Sequence, residues 1–192
     1  VNFLLFVFTF TAFAKSESSE LEFGLDIGYL GSNGHHKLVE KSFTGYDLSD
    51  TSYSWLYLRG TGSIKLNDYF NLGLYTDVST NYIWGDSEFF STIVTPGISS
   101  RYSFNWDGTV PNNRATGFLE LGIGYPIGFT GSPFYEFDFT NPSIRLELGH
   151  GLTEMLDISI GYNYTPMRID YDLIDDETEN LGGAFLKFGI NF

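Results

Sequence analysis

Apolar side chains recur at every second position along most of this chain. Phe70, Leu72, Leu74, Thr76, Val78, Thr80 and Tyr82 alternate with Asn71, Gly73, Tyr75, Asp77, Ser79 and Asn81. Leu21, Phe23, Leu25, Ile27 and Tyr29 do the same around Glu22, Gly24, Asp26 and Gly28. A two-residue period puts successive side chains on opposite faces of an extended strand. No stretch carries the spacing of an amphipathic helix. The alternation predicts eight strands, near residues 20–30, 54–66, 69–82, 90–104, 115–127, 144–152, 156–164 and 182–192. Asn67-Asp68 joins the second and third, and Thr153-Glu154-Met155 the sixth and seventh. A turn around Asp107-Gly108 and Pro111-Asn112-Asn113 joins the fourth and fifth. The other connections, near 31–53, 83–89, 128–143 and 165–181, are mostly longer and more polar. Short turns at one end and long loops at the other predict an up-and-down antiparallel sheet in one domain.

The two strand faces differ in kind. One carries Leu56, Leu58, Ile64, Val94, Ile98, Leu119, Leu121, Leu146, Leu148, Ile158, Ile160, Leu186 and Phe188 and their like, with no Asp, Glu, Lys or Arg on any of the eight strands. The other carries Glu22, Asp26, Arg59, Lys65, Asp77, Arg101, Glu120, Arg145, Glu147, Asp157 and Lys187, interspersed with glycines such as Gly73, Gly97, Gly122 and Gly149. Alternation alone does not say which face is inside. Volume does, because the interior of an eight-stranded barrel is only just wide enough for side chains. Glycines with a few paired charges fit that space, and the Leu, Ile, Phe and Tyr face does not. With the bulky face outward, lipid is the fitting surroundings, and a closed barrel is the sheet that leaves no unpaired edge there. The predicted fold is an all-β, eight-stranded antiparallel up-and-down transmembrane β-barrel.

Residues 1–14, VNFLLFVFTFTAFA, are uncharged and end in Ala12-Phe13-Ala14. An apolar run closed by small residues at those two places reads as a signal peptide that is removed, leaving residues 15–192 as the barrel domain. A helix of that length reaches about 21 Å, short of the roughly 30 Å hydrocarbon core. The chain has 24 Asp and Glu against 10 Lys and Arg, a formal net charge of −14, which argues against nucleic acid as a partner. With no cysteine, disulfides, thiolate metal sites and Cys nucleophiles are excluded.

These features together resemble the small eight-stranded outer-membrane β-barrel proteins of Gram-negative bacteria, the OmpA/OmpX type. The last strand, Leu186 to Phe192, places Leu186, Phe188, Ile190 and a terminal Phe192 at alternate positions. It looks like the assembly signal read by the outer-membrane assembly machinery. The resemblance implies an outer-membrane location, periplasmic termini, four extracellular loops, a monomer, and lipid and lipopolysaccharide as surroundings. Tyr29, Tyr82, Phe90, Tyr125 and Tyr164 near the loop ends, with Phe70, Phe104, Trp106 and Phe192 near the short-turn ends, agree with the aromatic girdles of such barrels.

Candidate chemistry is sparse. His35 and His36 in the first loop, with Asp86 and Ser87 after the third strand, are similar in position to the catalytic groups of the lipid A palmitoyltransferase family. His as base and Ser as nucleophile is sound acyl-transfer chemistry. That family measures its acyl chain in a largely apolar interior, whereas the inward face here is charged. His150 lacks the Ser two residues on that the lipid A deacylase family uses, since Leu152 stands there, and it reads as a membrane-interface residue. Asp170, Asp172, Asp175, Asp176, Glu177 and Glu179 lie in the fourth loop. They could hold a divalent cation through oxygen, and a solvated acidic loop is the simpler reading. No cofactor is implied.

The resulting expectation is an integral outer-membrane protein, not an enzyme, with a structural or surface-interaction role. Its loops would meet external ligands, and its lumen would be plugged by ion pairs among Arg59, Arg101, Glu120, Arg145, Glu147 and Lys187. The alternatives are a lipid A-modifying acyltransferase-like enzyme and a narrow channel for small solutes.

Overall fold

The computed structural model describes residues 21–31, 52–84, 89–109, 111, 116–130, 137–139, 141–171 and 174–192. The strands in chain order are β1 (Leu21–Gly31), β2 (Ser52–Lys65), β3 (Phe70–Trp84), β4 (Phe89–Phe104), β5 (Gly117–Gly124), β6 (Ile127–Thr130), β7 (Phe137–Asp138), β8 (Ser143–Gly151), β9 (Leu156–Tyr164), β10 (Pro166–Tyr171), β11 (Ile174–Asn180) and β12 (Gly183–Asn191). Among the described residues there is no helix.

Antiparallel pairing runs β3-β2-β1-β12-β9-β8-β5-β4, and β4 pairs back onto β3, so eight strands close into a barrel. They lie where the alternation predicts them, their ends displaced by one or two residues except at the fifth strand. There β5 and β6 are one strand interrupted at Tyr125-Pro126. Gly97 pairs with Gly124 and Val94 with Ile127, so the two halves keep a single register against β4. Pro126 has no N–H to give to the ladder, and the break falls there.

Two segments expected to be connections contain strands. The 128–143 stretch holds the end of β6 and β7, and 165–181 holds β10 and β11, which form a three-stranded sheet with β7. The charge density of 168–179 reads as a solvated loop. A ribbon paired through its backbone, however, needs no apolar face on both sides.

The short turns are fixed by their own side chains. Asn67 Oδ1 accepts hydrogen bonds from the backbone N–H of Tyr69 and Phe70, at 2.9 and 3.0 Å. Thr153 Oγ1 does the same for Met155 and Leu156. In the β4–β5 turn, Thr109 donates to Asp107 Oδ1 from both its N–H and its hydroxyl, and this holds the Asp107 carboxyl below the usual carboxylate range. Gly108 beside it has a φ of 76°, a conformation that side chains disfavour.

Paired residues followed once round the barrel reveal its stagger. Leu21 pairs with Ile64, and the row continues through Leu72, Ser100, Leu121, Leu146, Tyr162 and Ala184 to Gly31, ten residues beyond its start on β1. Ten residues of stagger over eight strand spacings correspond to a tilt of about 40°. At that tilt an 11-residue strand such as β1 rises about 28 Å, enough for the roughly 25 Å apolar band of such barrels.

The outward face is that band. Leu25, Leu72, Leu121 and Leu146 are each about half exposed, as are Ile27, Ile98, Ile123, Ile160 and Phe188. So extensive an apolar surface is foreign to a water-soluble monomer. Near the short turns the rings form a continuous ladder. Tyr69 stacks on Tyr102, Tyr102 touches Phe70 and Phe104, and Phe104 meets Trp106 edge-on at 5.0 Å. Trp106 Nε1 donates to His150 Nδ1 at 3.2 Å, so His150 ends this girdle. Tyr29, Tyr125 and Tyr164 stand exposed near the opposite ends of their strands. Tyr125 donates its hydroxyl to the Phe139 carbonyl at 2.6 Å.

Candidate functional site

Strand parity turns Asp26, Arg59, Asp77, Glu120, Arg145, Glu147, Asp157 and Lys187 inward, and every one is at most 5 % exposed. Register decides which of them meet. Asp77, Arg59, Asp26, Gly189 and Asp157 form one row across β3, β2, β1, β12 and β9. Arg101 and Glu120 face each other across β4 and β5, and Glu120 lies beside Glu147 of β8. Two adjacent carboxylates need cations, and these reach across the lumen. Arg59 donates to Glu120 and, at 3.0 Å, to Glu147. Arg145 donates to Glu120 at 2.8 Å and grips both oxygens of Asp77 through Nη1 at 2.8 and 3.1 Å. Lys187 bonds Asp26 and lies 2.9 Å from Glu147. Arg101 completes the set at 2.9 Å from Glu120.

The sequence-predicted residues Arg59, Arg101, Glu120, Arg145, Glu147 and Lys187 thus fall in one cluster. Asp26 and Asp77 join it, although pairing them with particular cations was beyond the alternation pattern. Lys65 stands apart at the short-turn mouth, 3.6 Å from Asp68, and Glu22 accepts from Asn71 there. Desolvating so many charges is costly unless each is paired and hydrogen-bonded. Here Glu120 has three cationic neighbours, and Asp26, Asp77 and Glu147 each have a cation within 3.0 Å.

Among the described residues the inward face also holds four buried rings, which a reading in terms of charges and glycines passes over. Tyr75 lies between two guanidinium groups, with Arg145 4.2 Å and Arg59 5.2 Å from its centroid. Arg101 covers Phe118 at 4.0 Å. Tyr57 and Phe185 stack at 5.5 Å and, with Leu30, form an apolar layer towards the long loops. Each ring is paired across its ladder with a glycine: Tyr57 with Gly28, Tyr75 with Gly97, Phe118 with Gly149, and Phe185 with Gly161. A Cβ on Gly97, Gly149 or Gly161 would press into the ring opposite. Gly97, Gly149 and Gly161 therefore leave the spaces in which Tyr75, Phe118 and Phe185 lie.

Along the axis the interior changes character. A mouth of about 480 Å³ opens among the short turns, lined by Glu22, Lys65, Asn71, Arg101 and Asp157. Above it, beside Arg59, Arg101 and Glu120, a cavity of about 20 Å³ remains, room for about one water. Next come the ion pairs, then the Tyr57–Phe185 layer. Further up, Ser143 donates to Asn163 and bonds Thr165.

Residues 1–14, His35, His36, Asp86, Ser87 and Asp172 lie outside the described residues. Asp170 is on β10, and Asp175, Asp176, Glu177 and Glu179 are on β11. Among the described residues no group of three His, Cys, Asp or Glu side chains is arranged to hold a metal. Leu186, Phe188, Ile190 and Phe192 all face outward at the closing strand.

No protein-family model and no curated protein matches the sequence. Solved structures do match its fold. The outer membrane protein OprG from Pseudomonas aeruginosa superposes with a TM-score of 0.52 at 12 % identity, over 91 % of this chain and 95 % of that one. Neisserial surface protein A gives 0.49 at 14 % identity, over 91 % and 98 %. At such identities the likeness is one of architecture, and the architecture is that of the small eight-stranded bacterial outer-membrane β-barrels.

Proposed function

We propose that this protein is an integral outer-membrane barrel of a Gram-negative bacterium that acts as a closed scaffold. Its lumen is plugged, and its function lies in the loops it presents outside and in its grip on the envelope. The observation that carries this reading is the interior network. Arg59, Arg145, Lys187 and their carboxylates join opposite walls, and the Tyr57–Phe185 layer lies across the next level. Among the described residues beside Arg59, Arg101 and Glu120 the lumen leaves about 20 Å³, far below the size at which ligands are held, about 300 Å³ or more. The outward apolar band and the girdle from Tyr69 to His150 support embedding in lipid, with lipopolysaccharide as the outer-leaflet neighbour. The Leu186–Phe192 pattern supports recognition by the outer-membrane assembly machinery. The protein works as a monomer and not as an enzyme, and its external partners are ligands that the loops contact.

The test has two parts. Fractionated cells should yield the protein with the outer membrane, and it should migrate heat-modifiably in detergent gels. The purified barrel in planar bilayers should show little or no conductance. Recovery as a soluble periplasmic monomer refutes the location, and a large, steady single-channel conductance refutes the plug.

A further inference from the structure

One row of the interior alternates in charge and then breaks. Across five neighbouring strands it reads Asp77, Arg59, Asp26, Gly189, Asp157. Arg59 stands between Asp77 and Asp26, and where the next cation belongs there is a glycine between Asp26 and a third aspartate, Asp157. Among the described residues the buried network contains four cations, Arg59, Arg101, Arg145 and Lys187, and five carboxylates, Asp26, Asp77, Glu120, Glu147 and Asp157. The carboxylate left over is identifiable. Asp157 is 5 % exposed, and its nearest cation, Arg101, is 3.9 Å from Oδ2. Asn191 donates to that same Oδ2 at 3.0 Å, while Oδ1 has no hydrogen-bond partner. Oδ1 points at the gap. A Cβ added to Gly189 would fall against it and within 2.6 Å of Asp26 Oδ1. The two oxygens thus converge on one spot from opposite sides. Lys187, the closest positive group on the same strand, is engaged with the other oxygen of Asp26 and with Glu147.

We propose that this gap is a binding site for one small, hard cation, held between Asp26 Oδ1 and Asp157 Oδ1 and completed by water. Oxygen ligands at about 2.3–2.6 Å are what calcium takes, and sodium accepts the same donors. The ion sits on the lumen side of Gly189, because the Cα itself bars the point a Cβ would fill. Its route is the short-turn mouth, which Asp157 and Asn191 line. Glu22, Asp68 and Glu154 line that mouth too, against Lys65 and Arg101, so its rim favours cations. The ion supplies the positive charge missing from the row and ties β1 to β9 across β12.

The full barrel refolded in detergent micelles provides the test. Calcium chloride or sodium chloride is titrated at constant ionic strength, maintained with tetramethylammonium chloride, whose cation is too large for the gap. Amide NMR shifts report the position of binding. Saturable shifts centred on Asp26, Asp157 and Gly189 are expected, with a calcium dissociation constant on the order of 1 mM, as for weak extracellular calcium sites. In Asp157→Asn, which breaks no ion pair closer than 3.9 Å, the affinity should fall at least about tenfold. Wild-type shifts that do not saturate, or that are confined to the acidic 170–179 segment, overturn the proposal whether or not the variant folds. So does an unchanged affinity in Asp157→Asn.

Discussion

Glu120 accepts hydrogen bonds from Arg59, Arg101 and Arg145, more cationic neighbours than any other carboxylate of the described interior has within 3.0 Å. Replacing it with Ala leaves three guanidinium groups facing one another around an empty acceptor position. Removing one partner of a buried pair costs about 3–5 kcal/mol, and Glu120→Ala belongs at the upper part of that range because three guanidinium groups lose their shared acceptor and Arg101 keeps only Asp157, 3.9 Å away. Relief depends on which cation is removed with it. Arg101 is 23 % exposed at its side chain, and Glu120 at 2.9 Å is much closer to it than Asp157 at 3.9 Å. Arg101→Ala alone should therefore cost only about 1–2 kcal/mol, since solvent already screens it in part. The double variant should recover about 1–2 kcal/mol relative to the sum. Arg145 behaves differently, because its removal strands Asp77, which it holds at 2.8 Å. Adding Arg145→Ala to Glu120→Ala should therefore recover less than Arg101→Ala does. Equilibrium urea unfolding in lipid vesicles, followed by tryptophan fluorescence and by band shift in gels, measures all of these. Additivity within about 0.5 kcal/mol in both cycles would refute a cooperative interior network.

Arg placed at Leu72 or Leu121, both about half exposed on the outward face, should destabilise the barrel by about 2–4 kcal/mol in vesicles. Arg at Asn71 should cost less, because it lines the mouth and already bonds Glu22. An equal or reversed order would invert the inside–outside assignment. Gly149→Ala drives a methyl group into Phe118 and should cost about 1–3 kcal/mol. Adding Phe118→Leu should return part of that loss in the same unfolding assay, whereas a neutral Gly149→Ala would show that the ring opposite has room to move.

Parity was the legible part of this structure. Glu120, Arg145 and Glu147 could be put on one face from the sequence alone, because a strand alternates strictly and each flank supplied clear apolar neighbours. Height along the barrel was not legible in the same way. Whether Arg59 of β2 reaches Glu120 or Glu147 depends on the ten-residue stagger, which accumulates over all eight pairings and appears in none of them singly. The glycine–ring pairs were hidden for the same reason. Gly149 and Phe118 are 31 positions apart, and only register makes them opposite. The β10–β11 ribbon was missed because its acidic side chains carry no apolar alternation, while its pairing is made by backbone groups that every sequence possesses.

The seam between β1 and β12 bears on the order in which the molecule is made. Its partners, such as Leu25 and Ile190, lie at opposite ends of the described chain, and Phe23 and Phe192 exchange backbone hydrogen bonds there. Every other pairing in the ring joins strands much closer in sequence. Closing a loop of this length costs about 3 kcal/mol more entropy than closing a hairpin, so the seam is the contact most delayed during folding. Until it forms, the sheet has two bare edges, and in lipid each unpaired backbone group costs several kcal/mol. Entry into the membrane and closure of the ring are therefore one step. Asp26 and Lys187 sit on the two sides of this seam, so the last hydrogen bonds of the wall and a buried charge pair of the interior arrive together. A chain stopped short of β12 would lack both.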